Sequence, residues 1–252
     1  MNGVGYTSAA LAIGGLEARL AQSTLFQAED PHVRVVPTTS NPGPLGFFSF
    51  AFCCALFMAI LLGWVEPSAA FVVHGFAFTF AGLGQVLVGL LEYSRKNVFA
   101  SNAFLCYGFF WLGTALTGTL TAAGVWAPSA KGSQMQFVLW GIITAFFWAQ
   151  TVMLNLALFV LFGSLMILFF LLAALQTSPG LAHFTGGWGI MVAIIAFYIG
   201  GAVLTLEMAG RAILPFGAFN WTALRRRLRG ETFGPVGTRR FAGDSVPADE
   251  KA

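Results

Sequence analysis

The feature that most limits what this 252-residue chain can fold into is a long stretch with almost no charge. Residues 35 to 210 hold only six of the 23 charged residues, and the other 17 lie near the two ends of the chain. Soluble domains place about 25% of their residues in the charged classes, whereas this chain has 9%, with a mean hydropathy of +0.78. The stretch is therefore expected to lie in lipid, and its six charges are Glu66, Glu92, Arg95, Lys96, Lys131 and Glu207.

The apolar segments have the lengths of membrane-spanning helices. A helix needs about 20 apolar residues to cross roughly 30 Å of hydrocarbon, and six such segments can be marked. Residues 134 to 176 contain no charge and are too many for one crossing, so we divide them between Val152 and Asn155. We predict an all-α integral membrane protein with six transmembrane helices, at about 45–65, 69–91, 102–126, 134–152, 155–176 and 183–208.

The basic residues predict the orientation of the chain. Arg95 and Lys96 follow the second helix and a run of arginines follows the sixth, whereas the opposite side has only Lys131. Lys and Arg accumulate in cytoplasmic loops, so both termini are expected in the cytoplasm of a multi-pass protein of the cell membrane. The sequon at Asn220 lies on the same side and is interpreted as a chance match, although a glycan there would reverse the topology.

Outside the helices the composition resembles that of unfolded tails. We expect a disordered cytoplasmic tail over residues 1–40, a transporter domain over 41–217 and a basic cytoplasmic tail over 218–252. Residues 221–228 place two leucines beside four arginines, at 225, 226, 227 and 229. This segment is either a stop signal of the positive-inside kind or a contact with an anionic leaflet.

Several function classes are disfavoured. The excess of basic residues lies in a tail rather than on a folded face, which argues against a protein that binds nucleic acid. Cys53, Cys54 and Cys106 lie in apolar runs without metal-ligand spacing, so neither a disulfide framework nor a metal or other cofactor is expected. Ser164 has no nucleophile elbow around it, and an enzyme is not expected.

The polar residues inside the helices are mostly neutral. Glu92 and Glu207 fall near helix ends, where a charge costs less than at mid-depth. A passage through the protein would therefore be lined by amide, hydroxyl and aromatic groups. Such a lining suits a small solute that is held weakly and must leave again.

Three segments carry a family resemblance. The opening Asn-Pro-Gly-Pro-Leu-Gly at residues 41–46 resembles the Asn-Pro-Ala-Pro-Leu-Gly signature of the acetate uptake transporter family, the microbial acetate/succinate permeases. The second and third helices, with Gln85, Asn97 and the Tyr107-Gly-Phe-Phe-Trp segment, are similar to that family's, as are residues 187–217 at the end. The resemblance covers about residues 41 to 217.

The resemblance implies a function and an assembly. Members form hexamers in which each protomer has its own pore for acetate, succinate and related short carboxylates, with protons as possible co-substrates. Three side chains narrow that pore, and they fall here on Phe50, Tyr107 and Leu165. The mouth and the other positions of the family motif fall on Asn41, Pro42, Pro44, Gly46, Gln85 and Asn97.

A mechanism follows as a hypothesis. Pro42 and Pro44 are expected to leave free N–H groups near Asn41, where a helix N-terminus favours an anion, and the Tyr107 hydroxyl is expected to donate to the carboxylate. Glu92 is either a proton-coupling group or an ion-pair partner of Arg95 or Lys96.

Other functions stay open at this stage. The family resemblance also admits ammonium export, and a membrane sensor without transport remains possible. A formate/nitrite-type channel is a rival at the level of the fold.

Overall fold

The described residues form a bundle of long helices. The computed structural model describes residues 40–127 and 129–217. The predicted tails therefore lie outside the described residues, apart from Ser40, and so do Asn220 and residues 221–228. The described part is helical, with 3₁₀ turns before two of the helices and no strands. The long helices are α1 (Gly43–Leu61), α2 (Pro67–Ser94), α3 (Val98–Ala122), α4 (Ala130–Thr151), α5 (Leu156–Leu175) and α6 (Pro179–Ala209).

Five of these helices, α1, α2, α3, α5 and α6, are long and apolar enough to cross a membrane among the described residues. The sixth, α4, has 22 residues, but its ends carry Lys131 and three glutamines, which lower its hydropathy. The all-helical membrane fold is thus confirmed, while a sixth span is not established by hydropathy.

Capping residues explain where the predicted helix starts were wrong. The third helix begins at Val98 rather than at residue 102, because the Asn97 side chain accepts a hydrogen bond from the N–H of Ala100 at 3.2 Å. Ser129 likewise accepts from Gly132 at 3.1 Å and starts α4 at Ala130, four residues before the predicted start.

The division between the fourth and fifth helices falls where the sequence placed it. Thr151 ends α4, and Asn155 caps α5 by accepting from the N–H of Leu158 at 2.9 Å. The N–H groups of Leu156 and Ala157 donate to the carbonyls of Gly217 and Phe216. The closing segment of the described chain therefore covers the start of α5.

Helices that follow one another in the chain pack together, except for α3 and α4, which meet mainly through side chains. The helix α1 packs between α2 and α6, α2 against α3, α4 against α5, and α5 against α6. Gly89 and Gly108 bring α2 and α3 close, because a Cβ on either would lie under 3.0 Å from atoms of the other helix. Side chains from α3, α4 and α5 then meet in the interior and complete a ring of helices around an aromatic core.

The helix α2 changes its winding partway along. Residues Ala77–Leu83 form a π-helical stretch between the α-helical segments Ala70–Phe76 and Gly84–Ser94. Such stretches occur often at functional sites because they rotate the following residues relative to the preceding ones. Gln85, one of the predicted motif residues, is the second residue after it.

Candidate functional site

The interior of the bundle contains a small cavity between α1, α2, α3 and α5. Its volume is about 30 Å³, enough for one or two water molecules. Phe50, Tyr107 and Leu165 all line it, although they come from three different helices. The other lining residues are Phe47, Gln85, Phe99, Ala100, Ala103, Phe104, Leu161 and Phe162.

The three predicted constriction residues are closely packed. The ring centroids of Phe50 and Tyr107 lie 6.1 Å apart at 61°, an edge-on arrangement typical of aromatic pairs. Phe162 lies 6.0 Å from Tyr107 between centroids, and Leu165 is buried one turn further along α5. The structure therefore brings these side chains to one place, while their role in narrowing a pore stays a prediction.

The hydroxyl of Tyr107 belongs to a directed chain of hydrogen bonds. Thr144 donates its only hydroxyl proton to the carbonyl of Trp140 at 2.7 Å, so the Tyr107 hydroxyl must be the donor in its 3.0 Å bond with Thr144. The proton of Tyr107 is thus engaged by Thr144 in this structure, and its donation to a carboxylate stays a prediction.

Gln85, a predicted residue of the family motif, lies inside the bundle. Its side chain is fully buried and is among the residues around the cavity. Its Nε2 donates to the carbonyl of Gly46 at 3.3 Å, and Ser49 donates to the same carbonyl at 3.0 Å. Gly46 thus connects the opening motif to the cavity, and a Cβ there would overlap the ring of Phe104.

The start of α1 offers no free N–H group of the expected kind. Gly43 donates to Asn41 Oδ1 at 2.9 Å, Pro44 has no N–H, and the N–H groups of Leu45 and Gly46 both point to the carbonyl of Pro42. The expectation that Pro42 and Pro44 expose donors for an anion is therefore wrong, because the side chain of Asn41 and the carbonyl of Pro42 use them.

Asn41 connects the two ends of the described chain instead. Its Nδ2 donates to Glu207 Oε1 at 2.8 Å, which ties the start of α1 to the end of α6. Arg95 donates from Nη1 to the carbonyl of Ser40 at 3.0 Å and so holds the preceding residue against the turn between α2 and α3. These contacts give Asn41 a positioning role at this end of the bundle.

Glu92 and Asn97 lie at the same end, outside the cavity lining. The side chain of Glu92 is fully buried, and its Oε2 lies 3.7 Å from Nε of Arg95. Of the two interpretations of Glu92, the ion pair with Arg95 is present in the structure. A proton-coupling role for Glu92 stays a prediction, and Asn97 serves as the cap of α3.

Sequence reasoning missed Thr144, Phe104 and Phe162. Thr144 is fully buried and fixes the direction of the Tyr107 hydroxyl, while the two phenylalanines form cavity walls. Thr144 follows Trp140 by four residues, so the two share one face of α4. That spacing accounts for the bond to the carbonyl of Trp140, but no signal in the sequence identified Thr144 as the partner of Tyr107.

Comparison with known proteins identifies the family. Residues 26–219 match the GPR1/FUN34/yaaH family. The chain belongs to this family. The succinate-acetate/proton symporter SatP of Escherichia coli (strain K12) is 31% identical over 181 residues, which cover 71% of this chain and 95% of SatP. The resemblance drawn from the motifs is thus confirmed.

Further members differ in their named roles. Acetate permease A of Emericella nidulans is 28% identical over 213 residues, covering 77% of this chain and 71% of the permease. The ammonia transport outward protein 2 of Saccharomyces cerevisiae is 32% identical over 171 residues, covering 63% of this chain and 59% of that protein. The solved structure of the bacterial acetate channel SatP matches with a TM-score of 0.68 at 30% identity, covering 71% of this chain and 100% of that one.

Proposed function

We propose that the chain transports acetate and related short-chain monocarboxylates, and succinate, across the cell membrane. The observation that carries this proposal is the meeting of Phe50, Tyr107 and Leu165 in one interior cavity, in a member of the GPR1/FUN34/yaaH family. The names of SatP and of acetate permease A supply the substrate class. The protein acts as a conduit without cofactors or metals, and it is not an enzyme.

The cavity supports a narrow, gated path. With a volume of about 30 Å³ it is too small for a carboxylic acid unless side chains move. The ring of Phe50 contacts Tyr107 and Trp111 edge-on, and rotation of this ring would open the path. The apolar walls then hold the substrate weakly and permit its release.

The assembly belongs to the same proposal. We place α4 in the membrane as a sixth span, since its 22 residues cover about 33 Å at 1.5 Å per residue. Large apolar side chains on the outer faces, such as Phe71, Leu87 and Phe146, suit contact with lipid or with neighbouring copies. Each protomer of a hexamer then has its own pore, and both termini lie in the cytoplasm.

The test is transport by purified protein in liposomes. Labelled acetate and lactate should enter faster than in vesicles without protein. Phe50→Ala and Leu165→Ala should raise the lactate-to-acetate ratio, because each removes a wall of the constriction. Phe71→Ala, on an exposed outer face, is the matched control and should leave the ratio as it is. Unchanged selectivity in both interior variants would reject the constriction assignment.

Ammonium export is the second candidate, because the ammonia transport outward protein 2 is a relative at 32% identity. The same vesicles, loaded with methylammonium as a probe, distinguish the two functions. Export of the amine without any protein-dependent carboxylate flux would favour the second candidate. Absence of both fluxes would favour a sensor.

A further inference from the structure

The cavity is lined by the ring of Tyr107 rather than by its hydroxyl. The described residues around the cavity expose only apolar atoms to it, and none of them comes from α4. The Tyr107 hydroxyl donates to Thr144 Oγ1, on α4, at 3.0 Å. The oxygen is therefore turned away from the cavity, and the position of the ring depends on what holds that oxygen.

The seam between α3 and α4 consists of side chains rather than closely packed backbones. Trp140 and Phe147 of α4 lie 6.4 and 6.0 Å from Tyr107 between ring centroids. Aromatic pairs accept centroid distances from about 4.5 to 7 Å, whereas a hydrogen bond weakens steeply outside a narrow range of distance and angle. The bond to Thr144 is thus the contact across this seam that defines the position of Tyr107 most sharply.

Thr144 is itself held in place. It is fully buried, and its hydroxyl donates to the carbonyl of Trp140, one turn earlier in α4, at 2.7 Å. A threonine in a helix has few side-chain rotamers, and a bond of this kind to the helix carbonyl selects among them. The acceptor that Tyr107 uses is therefore rigid.

The helix α4 is in turn packed tightly on α5. A Cβ on Gly141 of α4 would lie 2.9 Å from the ring of Phe170 of α5. Glycines at such positions let two helices approach closely. Leu165, which also lines the cavity, lies on α5. The bond between Tyr107 and Thr144 therefore joins α3 to the pair of helices that carries Leu165.

We propose that Thr144 is a positioning residue of the constriction, which sets the spacing between Tyr107 and Leu165 and so the size of the acid that passes. Thr144 does not line the cavity and acts by holding the Tyr107 ring. Without the bond, packing alone holds the ring, the constriction varies more in width, and a larger acid passes more often relative to acetate. This inference rests on the proposed carboxylate transport and adds a determinant of selectivity on a helix that lies outside the cavity lining.

The test is the lactate-to-acetate ratio of uptake by full-length protein in liposomes, together with the Tm in detergent. Thr144→Val keeps the shape of the side chain and removes the acceptor, and Tyr107→Phe removes the donor. Each variant should raise the ratio about 2- to 10-fold, the factor that one hydrogen bond contributes to an equilibrium. The double variant should raise it no further than the larger single effect, because the same bond can be lost only once.

Two control variants separate positioning from general packing. Thr144→Ser keeps the hydroxyl and should keep the wild-type ratio. Thr151→Val removes another buried threonine hydroxyl of α4, which donates to the carbonyl of Trp148 at 2.6 Å and accepts from no described side chain. This variant should leave the ratio unchanged even where it lowers the Tm.

Each outcome supports the inference or overturns it. A wild-type ratio in Thr144→Val, or an equal loss of uptake for both acids, overturns the positioning role while carboxylate transport stands. Single effects that multiply in the double variant also overturn it, because the two residues would then act separately. Loss of uptake in Tyr107→Phe but not in Thr144→Val would replace it with direct donation from Tyr107 to the substrate. Absence of protein-dependent flux in the wild type overturns the proposed function and this inference with it.

Discussion

Adding a single methyl group to Gly46 should disturb both the packing and the site. Gly46 is buried in the first turn of α1, and a Cβ there would overlap the ring of Phe104. Phe104 packs edge-on against Phe47 at 5.3 Å between centroids, and both rings line the cavity. In Gly46→Ala the ring of Phe104 must therefore move, and the cavity is the open space beside it.

The expected cost follows from the overlap. Extra methyl groups in a packed interior destabilise by about 1–3 kcal/mol when neighbouring side chains must shift. Alanine itself favours helix by about 1 kcal/mol over glycine, which offsets part of that cost. We expect a net loss of stability of about 1 kcal/mol, the difference between the two, seen as a lower Tm in detergent. Acetate and lactate uptake should also be slower, since the displaced ring narrows the cavity.

The control and the rescue make the prediction specific. Gly187→Ala changes a glycine of α6 that has no atom within 4 Å of the added methyl, so Tm and flux should not fall. Phe104→Leu in the Gly46→Ala background removes the ring that collides, and should recover part of both losses. If Gly46→Ala transports and melts like the wild type, or if the double variant shows no coupling, the proposed contact between this motif and the cavity is refuted.

Three further variants separate structural from transport roles. Asn97→Ala removes the cap of α3 and should cost about 1 kcal/mol, measured as a lower Tm that Asn97→Ser largely restores; an unchanged Tm would contradict the capping role. Asn155→Ala removes the cap of α5 and should lower Tm to a similar extent, with acetate-to-lactate selectivity unchanged, because its side chain is used by Leu158. Glu92→Gln should retain the pH dependence of uptake in liposomes, because Glu92 lies outside the cavity lining and is paired with Arg95; transport that no longer responds to pH would instead assign the coupling to Glu92.

The helical fold was predictable from physical chemistry, whereas the three cavity residues came from the family resemblance. Long apolar segments in lipid have few alternatives to helices. The resemblance then placed Phe50, Tyr107 and Leu165 on helices that the bundle brings together. Helix starts were less accurate, because Asn97 and Ser129 are polar and were assigned to loops, although both are caps.

Hydrogen-bond partners could not be predicted from the sequence in the same way. Nothing in the order of residues shows that Thr144 takes the proton of Tyr107, since the two are 37 residues apart. The expectation of free N–H groups at Pro42 and Pro44 failed for a similar reason. That expectation counted the N–H groups that have no acceptor within the helix. It overlooked the side chain of Asn41, two residues before Gly43, which accepts from the N–H of Gly43.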